Sequence, residues 1–136
     1  MRNYTHIDAE TVDEVVTVLR DYGDKASVIA GGTDLLCTMK DEILPVYPEV
    51  LINIKKIPDL QGIKEEGGVL KLGALTTLTE ITDDVTIKSK YTALADAALA
   101  VGSPQLRNTG TIAGNLCQDI RCWYYRSANN YFYCFC

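Results

Sequence analysis

The sequence predicts an α+β fold, in which a small parallel β-α-β subdomain is followed by an antiparallel sheet with helices. In the first third, short apolar segments alternate with apolar residues at helical spacing, a pattern typical of parallel strands covered by helices. In the middle, two strand-like segments flank Glu66-Gly67-Gly68, as in a β-hairpin. We expect the first subdomain over residues 1–55, the second over 56–121 and a tail of different composition over 122–136.

The elements of the first subdomain follow from apolar spacing and from the placement of glycine and proline. Asp8 is predicted to cap the first helix and Gly23 to end it, while Pro45 and Pro48 end the second. The predicted strands are 3–6, 25–30 and 49–54. The predicted helices are 9–21 and 34–40.

The second subdomain begins with the hairpin, whose predicted strands are 62–65 and 69–72. A short helix capped by threonine is predicted over 75–81. Small apolar residues at helical spacing predict a second helix over 91–101, which Gly102-Ser103-Pro104 ends.

Composition and charge exclude several classes of function. The 136 residues are 47% hydrophobic and 23% charged, as in an ordinary globular domain. The formal net charge of -5 argues against nucleic-acid binding, because Lys and Arg are scattered among more numerous Asp and Glu. No apolar segment has membrane-spanning length and no apolar leader follows Met1, so we expect a cytoplasmic protein with no membrane contact.

The cysteines and aromatic residues are concentrated at the end of the chain. Four of five cysteines lie in the last twenty residues, and seven of eleven aromatic residues lie in the last fourteen. An odd number of cysteines without a leader does not indicate a disulfide framework, so we expect reduced thiols. An exposed aromatic tail would mark an interface.

A glycine pair follows the second predicted strand, within Ile29-Ala30-Gly31-Gly32-Thr33-Asp34-Leu35-Leu36. The glycines allow backbone conformations that other residues avoid, and Thr33 or Asp34 can cap the next helix. Backbone N–H groups left without partners at such a turn favour an anion, typically a phosphate. A tight connection without a ligand remains an alternative.

A second cluster of small polar residues, 107–116, is too polar for a core. Gly110 and Gly114 allow close approach to a ligand, and Thr109, Thr111 and Asn115 offer groups that bond to phosphate or to a ring edge. A turn-rich loop is the alternative. Two such clusters facing each other would suit a dinucleotide.

Other motifs of nucleotide binding and hydrolysis are absent from the sequence. The glycine pair is followed by no Gly-Lys-Ser/Thr ending and lacks the G-x-G-x-x-G spacing. His6 has no Ser or Cys motif near it, so no catalytic triad is predicted.

Three ordered motifs resemble the flavin-binding subunits of molybdenum hydroxylases, of the xanthine dehydrogenase, carbon monoxide dehydrogenase and hydroxybenzoyl-CoA reductase type. They are Ala30-Gly31-Gly32-Thr33-Asp34-Leu35, Leu72-Gly73-Ala74-Leu75-Thr76-Thr77 and Asn108-Thr109-Gly110-Thr111-Ile112-Ala113-Gly114-Asn115. The resemblance covers about residues 3 to 126. It implies an FAD-binding fold in which FAD lies between the two subdomains. Ala113 stands where the family more often has glycine.

The resemblance also implies cofactor contacts, partners and a function. The pyrophosphate of FAD would lie on Ile29, Ala30, Gly31, Gly32, Thr33, Asp34, Leu35 and Leu36. The other implied contacts are Thr77, Thr111, Gly114, Asn115 and Asp119. Such a subunit passes electrons between iron–sulfur centres and an external acceptor or donor, beside a molybdopterin-binding large subunit and a [2Fe-2S] small subunit. Since the chain stops before the family's C-terminal domain, we expect the N-terminal part only, without turnover by itself.

The segment Asn115 to Arg126 most resembles the hydroxybenzoyl-CoA reductase branch, in which a cysteine-bearing insertion binds an additional [4Fe-4S] cluster. Cys122 would be its first ligand in a complete chain. The spacing of the last four cysteines matches neither a zinc site nor the common iron–sulfur motifs, which argues against a local site built from Cys117, Cys122, Cys134 and Cys136. Two alternatives stay open: a cofactor-free interaction fragment that associates through its tail, and a binder of another dinucleotide such as NAD.

Overall fold

The computed structural model describes residues 1–122 and 124–126. Its strands are β1 (Thr5–Asp8), β2 (Ala26–Ile29), β3 (Val50–Asn53), β4 (Ile63–Glu66) and β5 (Val69–Leu72). Its helices are α1 (Val12–Tyr22), α2 (Leu35–Lys40), α3 (Leu78–Asp83), α4 (Val85–Lys90), α5 (Thr92–Leu99), α6 (Pro104–Arg107) and α7 (Ile112–Leu116). Short 3-10 turns occupy Gly23–Lys25 and Pro58–Leu60. The α+β class is confirmed.

The first sheet is parallel, with strand order β1-β3-β2. All four residues of the central strand β3 are buried, which explains its uninterrupted apolar character. Thr5 and Ala26 both align with Val50, and Ile29 aligns with Asn53 at the carboxyl edge. Helix α1 packs on this sheet around a core of Ala9, Val15, Val50, Ile52 and Ile57.

The cap of α1 is Thr11 rather than Asp8, so that prediction was wrong. Thr11 accepts a hydrogen bond from the Glu14 backbone N–H, and the Glu14 side chain accepts one from the Thr11 backbone, forming a capping box. Asp8 instead ends β1, where its carboxylate accepts a 2.6 Å hydrogen bond from the Asn53 amide. Gly23 does end the helix, with φ +52°.

The second sheet is the predicted hairpin, β4 paired antiparallel with β5. Gly67 and Gly68 form its two-residue turn, both at positive φ, as tight hairpins require. Helices α3, α4 and α5 cover it around a second core of Leu78, Ile81, Ile87 and Ala98. Helices α4 and α6 were not predicted, and α7 lies within the cluster 107–116, which was predicted as a loop. The subdomain boundary at residue 55 stays a prediction.

Candidate functional site

Two loops meet beside the parallel sheet. The first loop, residues 30–34, follows β2 at the carboxyl edge, and the second loop, residues 108–111, joins α6 to α7. A Cβ at Gly31 would overlap the backbone carbonyl of Thr109 and lie 3.2 Å from the Gly110 Cα. Gly31 therefore has no side chain because the loops pack directly against each other there. The two clusters expected to face each other are therefore in direct contact at this point.

The second loop is fastened to the segment that precedes α3. The backbone N–H of Leu78 donates to the Gly110 carbonyl at 3.0 Å, and that of Ile112 donates to the Thr76 carbonyl at 2.8 Å. Thr77 and Thr111 form an isolated antiparallel bridge between these bonds. The hairpin side of the fold thus positions the second loop.

The first loop has the backbone expected of an anion cradle. Gly32 lies at φ +72°, a conformation that favours glycine. The backbone N–H groups of residues 31–35 donate no hydrogen bond to any other described residue. By contrast, the next N–H, of Leu36, donates to the Gly32 carbonyl at 3.1 Å and begins α2.

A cavity of about 520 Å³ opens between the two loops. Eleven of the thirteen predicted cofactor contacts line it: Ile29, Ala30, Gly31, Gly32, Thr33, Asp34, Leu35, Thr111, Gly114, Asn115 and Asp119. Leu36 and Thr77 are not in its wall, and their cofactor contacts stay a prediction. Its volume falls in the range typical of small-molecule and cofactor pockets.

The predicted threonines use their hydroxyl groups as helix caps. Thr111, which is buried, accepts from the Gly114 backbone N–H at 3.2 Å and caps α7. Thr77 accepts from the Glu80 backbone N–H at 3.2 Å and donates to the Glu80 carboxylate at 2.8 Å. In contrast, Asn115 lines the cavity, and its carboxamide takes part in no hydrogen bond within the described chain.

Asp34 does not cap α2 through its side chain, as its position allowed, but forms an ion pair with the tail. Arg126 donates to both of its carboxylate oxygens, at 2.9 and 3.1 Å. The same guanidinium donates to the backbone carbonyls of Asp119 and Ile120, each at 2.7 Å. Arg126 thereby holds residues 119–126 against the first loop.

Cys122 is half-buried and follows Arg121, which lines the cavity. In residues 1–122 and 124–126, no three His, Cys, Asp or Glu side chains gather as a metal site. Cys134 and Cys136, and most of the aromatic tail, lie outside the described residues, so neither the local four-cysteine site nor the tail interface is addressed by the structure.

Residues 2–122 match the family described as the FAD binding domain in molybdopterin dehydrogenase. The chain belongs to this family. The match contains both loops and the cavity between them, and FAD is the cofactor of the family's domain.

This FAD-binding domain has named relatives. It is 41% identical over 117 residues to the nicotinate dehydrogenase FAD-subunit of Eubacterium barkeri, covering 85% of this chain and 39% of that subunit. It is 38% identical over 107 residues to the carbon monoxide dehydrogenase medium chain of Hydrogenophaga pseudoflava, covering 79% and 37%. The chain thus spans about two fifths of these relatives.

A solved structure shares the fold. The carbon monoxide dehydrogenase from Hydrogenophaga pseudoflava that lacks the Mo-pyranopterin moiety superposes with a TM-score of 0.80 at 36% identity, over 85% of this chain and 39% of that chain. The predicted family and fold are confirmed. The closer resemblance to the hydroxybenzoyl-CoA reductase branch stays a prediction.

Sequence analysis did not single out Arg121 or Arg126 as site residues. Arg121 lines the cavity, and Arg126 pairs with Asp34 from 92 positions away. Asp34 and Asp119 were singled out as cofactor contacts. Nothing in the local sequence pattern, however, paired either carboxylate with a particular arginine.

Proposed function

We propose that this chain is the N-terminal part of an FAD-binding electron-transfer subunit of a molybdenum-containing hydroxylase or dehydrogenase, and that FAD lies in the cavity between the two loops. The observation that carries the proposal is the cavity itself, with the glycine loop on one wall and Gly114 and Asn115 on another. Family membership supplies the identity of the ligand.

The residues present fit a dinucleotide. The N–H groups of residues 31–35 have no described partner and suit the pyrophosphate, which needs donors close to the backbone. Asn115 lines the same cavity, and its carboxamide, which has no partner in the described chain, suits a polar edge of the ligand. Bound FAD supplies the redox chemistry, while the protein binds and orients it.

Leu35 and Ile29 give the cavity apolar wall beside the cradle, and Thr111 holds Gly114 in place through its cap. We therefore assign Thr111 a positioning role toward Gly114 and Asn115. Asp119 lies on the wall, where its carboxylate accepts a 2.8 Å hydrogen bond from the Ile120 backbone N–H and its backbone carbonyl accepts one of 2.7 Å from Arg126.

We propose that the complete protein works beside a molybdopterin-binding large subunit and a [2Fe-2S] small subunit, in the cytoplasm. One relative is named as the FAD-subunit of a dehydrogenase and another as the medium chain of a different dehydrogenase. Both names describe one subunit among several, which supports a multi-subunit assembly. A [4Fe-4S] ligand role for Cys122 in a longer chain is part of the same proposal. Because this chain spans two fifths of those relatives, we expect it to bind FAD without turnover.

Calorimetric titration of the folded chain with FAD tests the proposal. We expect saturable binding of one FAD per chain. NAD should bind far more weakly than FAD, so that even excess NAD competes poorly. A folded sample that binds no FAD at high concentration would contradict the proposal, and preferential binding of NAD would replace FAD with another dinucleotide. None of the helices in the described part of the chain has the length and apolar character of a membrane span.

A further inference from the structure

The cavity between the loops has a single cationic side chain among its described lining residues, Arg121. It lies on the wall that faces the first loop, because its Nε is 3.3 Å from a carboxylate oxygen of Asp34. The other lining groups that carry charge are Asp34 and Asp119.

Asp34 does not need Arg121 as a counterion. Arg126 occupies both carboxylate oxygens, and its side chain is only 15% exposed, against 52% for Arg121. Arg126 is further fixed by two backbone carbonyls. Arg121 contacts Asp34 through Nε, and its terminal nitrogens donate to no other described residue. Arg126 is therefore the structural partner of Asp34. Arg121 is a second guanidinium beside Asp34 that this ion pair does not require.

The local charges leave Arg121 able to bind an anion. The Asp34 carboxylate faces two guanidinium groups, one more than it needs, while Asp119, the other carboxylate of the wall, forms no ion pair with Arg121 in the described chain. The backbone N–H groups of residues 31–35, a range that includes Asp34, have no partner in the described chain. Guanidinium groups bind phosphate oxygens strongly because their donors form a planar fork.

We propose that Arg121 is a diphosphate-binding residue of this site, which turns from Asp34 toward the ligand and supplements the backbone donors of the first loop. The inference rests on the proposed function, since it assigns the side-chain contact for the same FAD. It assigns separate tasks to the two arginines: Arg126 fastens the tail, and Arg121 recognises the anion.

The test compares the Kd for FAD of the wild-type chain with those of Arg121→Gln and of a matched control, Arg20→Gln. Arg20 is exposed on α1 and belongs to no ion pair in the described chain. We expect Arg121→Gln to raise the Kd about tenfold to a hundredfold, as for loss of a charge-assisted hydrogen bond, with Tm unchanged. Arg20→Gln should leave the Kd at the wild-type value.

A Kd for Arg121→Gln within about twofold of wild type would overturn the inference, given the effect expected of a charged contact. If glutamine at this position unfolds the chain, the salt dependence of wild-type FAD binding decides. The Kd should then rise as NaCl is raised from about 0.05 to 0.5 M, since salt screens an exposed guanidinium, and a constant Kd would overturn the inference. Wild-type protein that binds no FAD would instead contradict the proposed function itself.

Discussion

Arg126 and Asp34 form a bidentate ion pair that joins the tail to the first loop, with N–O distances of 2.9 and 3.1 Å. Both side chains are mostly buried, at 15% and 19% exposure. Arg126 also donates to two backbone carbonyls of residues 119–120, so the pair holds the wall of the cavity and not merely a surface charge.

Arg126→Gln is expected to lower the free energy of unfolding by about 1–3 kcal/mol, because it leaves a partly buried carboxylate without its main partner. In urea denaturation, Asp34→Asn should cost a similar amount, and the double variant clearly less than the sum. Arg121→Gln should stay within about 0.5 kcal/mol of wild type, since that arginine is half exposed. Additive losses would show that the pair is not coupled.

Gly31→Ala should destabilise the chain by about 2 kcal/mol or more, since the new Cβ would meet the rigid Thr109 carbonyl and force the loops apart. Gly68→Ala is the control: it lies at φ +78° in the hairpin turn with open space around it. It should cost about 1–2 kcal/mol through backbone strain alone and leave FAD affinity unchanged. Thermal melts and FAD titrations of both variants check this. A Gly31→Ala protein as stable as wild type would contradict the contact between loops.

Thr111→Ala should cost about 1 kcal/mol, because the hydroxyl caps α7 through the Gly114 N–H. Thr111→Ser keeps the oxygen and should restore most of the stability. FAD affinity should follow the same order, since we assign this hydroxyl a positioning role. If Thr111→Ala retained full stability and lost only FAD affinity, the hydroxyl would be a direct ligand instead.

Asp8 gives the chain a pH-dependent contribution to stability. The hydrogen bond from Lys56, and next that from Asn53, lower the pKa of Asp8 below its ordinary value of 3.8. A carboxyl with a lowered folded pKa stabilises the fold above its ordinary pKa, and this contribution is lost as pH falls through the folded pKa. Asp8→Asn should therefore be less stable than wild type at neutral pH, with the difference shrinking as the pH falls through the folded pKa of Asp8.

Urea midpoints measured across this pH range check the prediction, with Asp96→Asn as the control. Asp96 is exposed on α5 and has no ion pair within the described chain. Its variant should follow the wild-type profile. A constant difference between Asp8→Asn and wild type at every pH would mean that the ionised carboxylate contributes nothing.

Much of the fold was predictable because its signals are local. The hairpin followed from two short strand-like segments that flank Gly67-Gly68, and the threonine cap at the start of α3 was also predicted. Helix α4 was missed because Ile87 is its only buried residue and Val85 is 78% exposed, so no apolar stripe marks it. Asp8 was misassigned because its partner, Asn53, lies 45 residues away.

The candidate site shows the same division. Glycine motifs predicted both loops, since close backbone approach demands glycine wherever the partner lies. The direct contact of Gly31 with Thr109 and the pairing of Arg126 with Asp34 were not predictable, because each depends on how distant segments pack. Local patterns identified the donors of the site but not the residues that hold them.

Hydrogen–deuterium exchange of the chain with and without saturating FAD tests the central claim most directly. Our account predicts that FAD slows exchange of the backbone N–H groups of residues 31–35, which have no partner in the described chain, and of residues 111–115 on the facing wall. Protection confined to other segments, while FAD is demonstrably bound, would contradict the placement of FAD between the two loops.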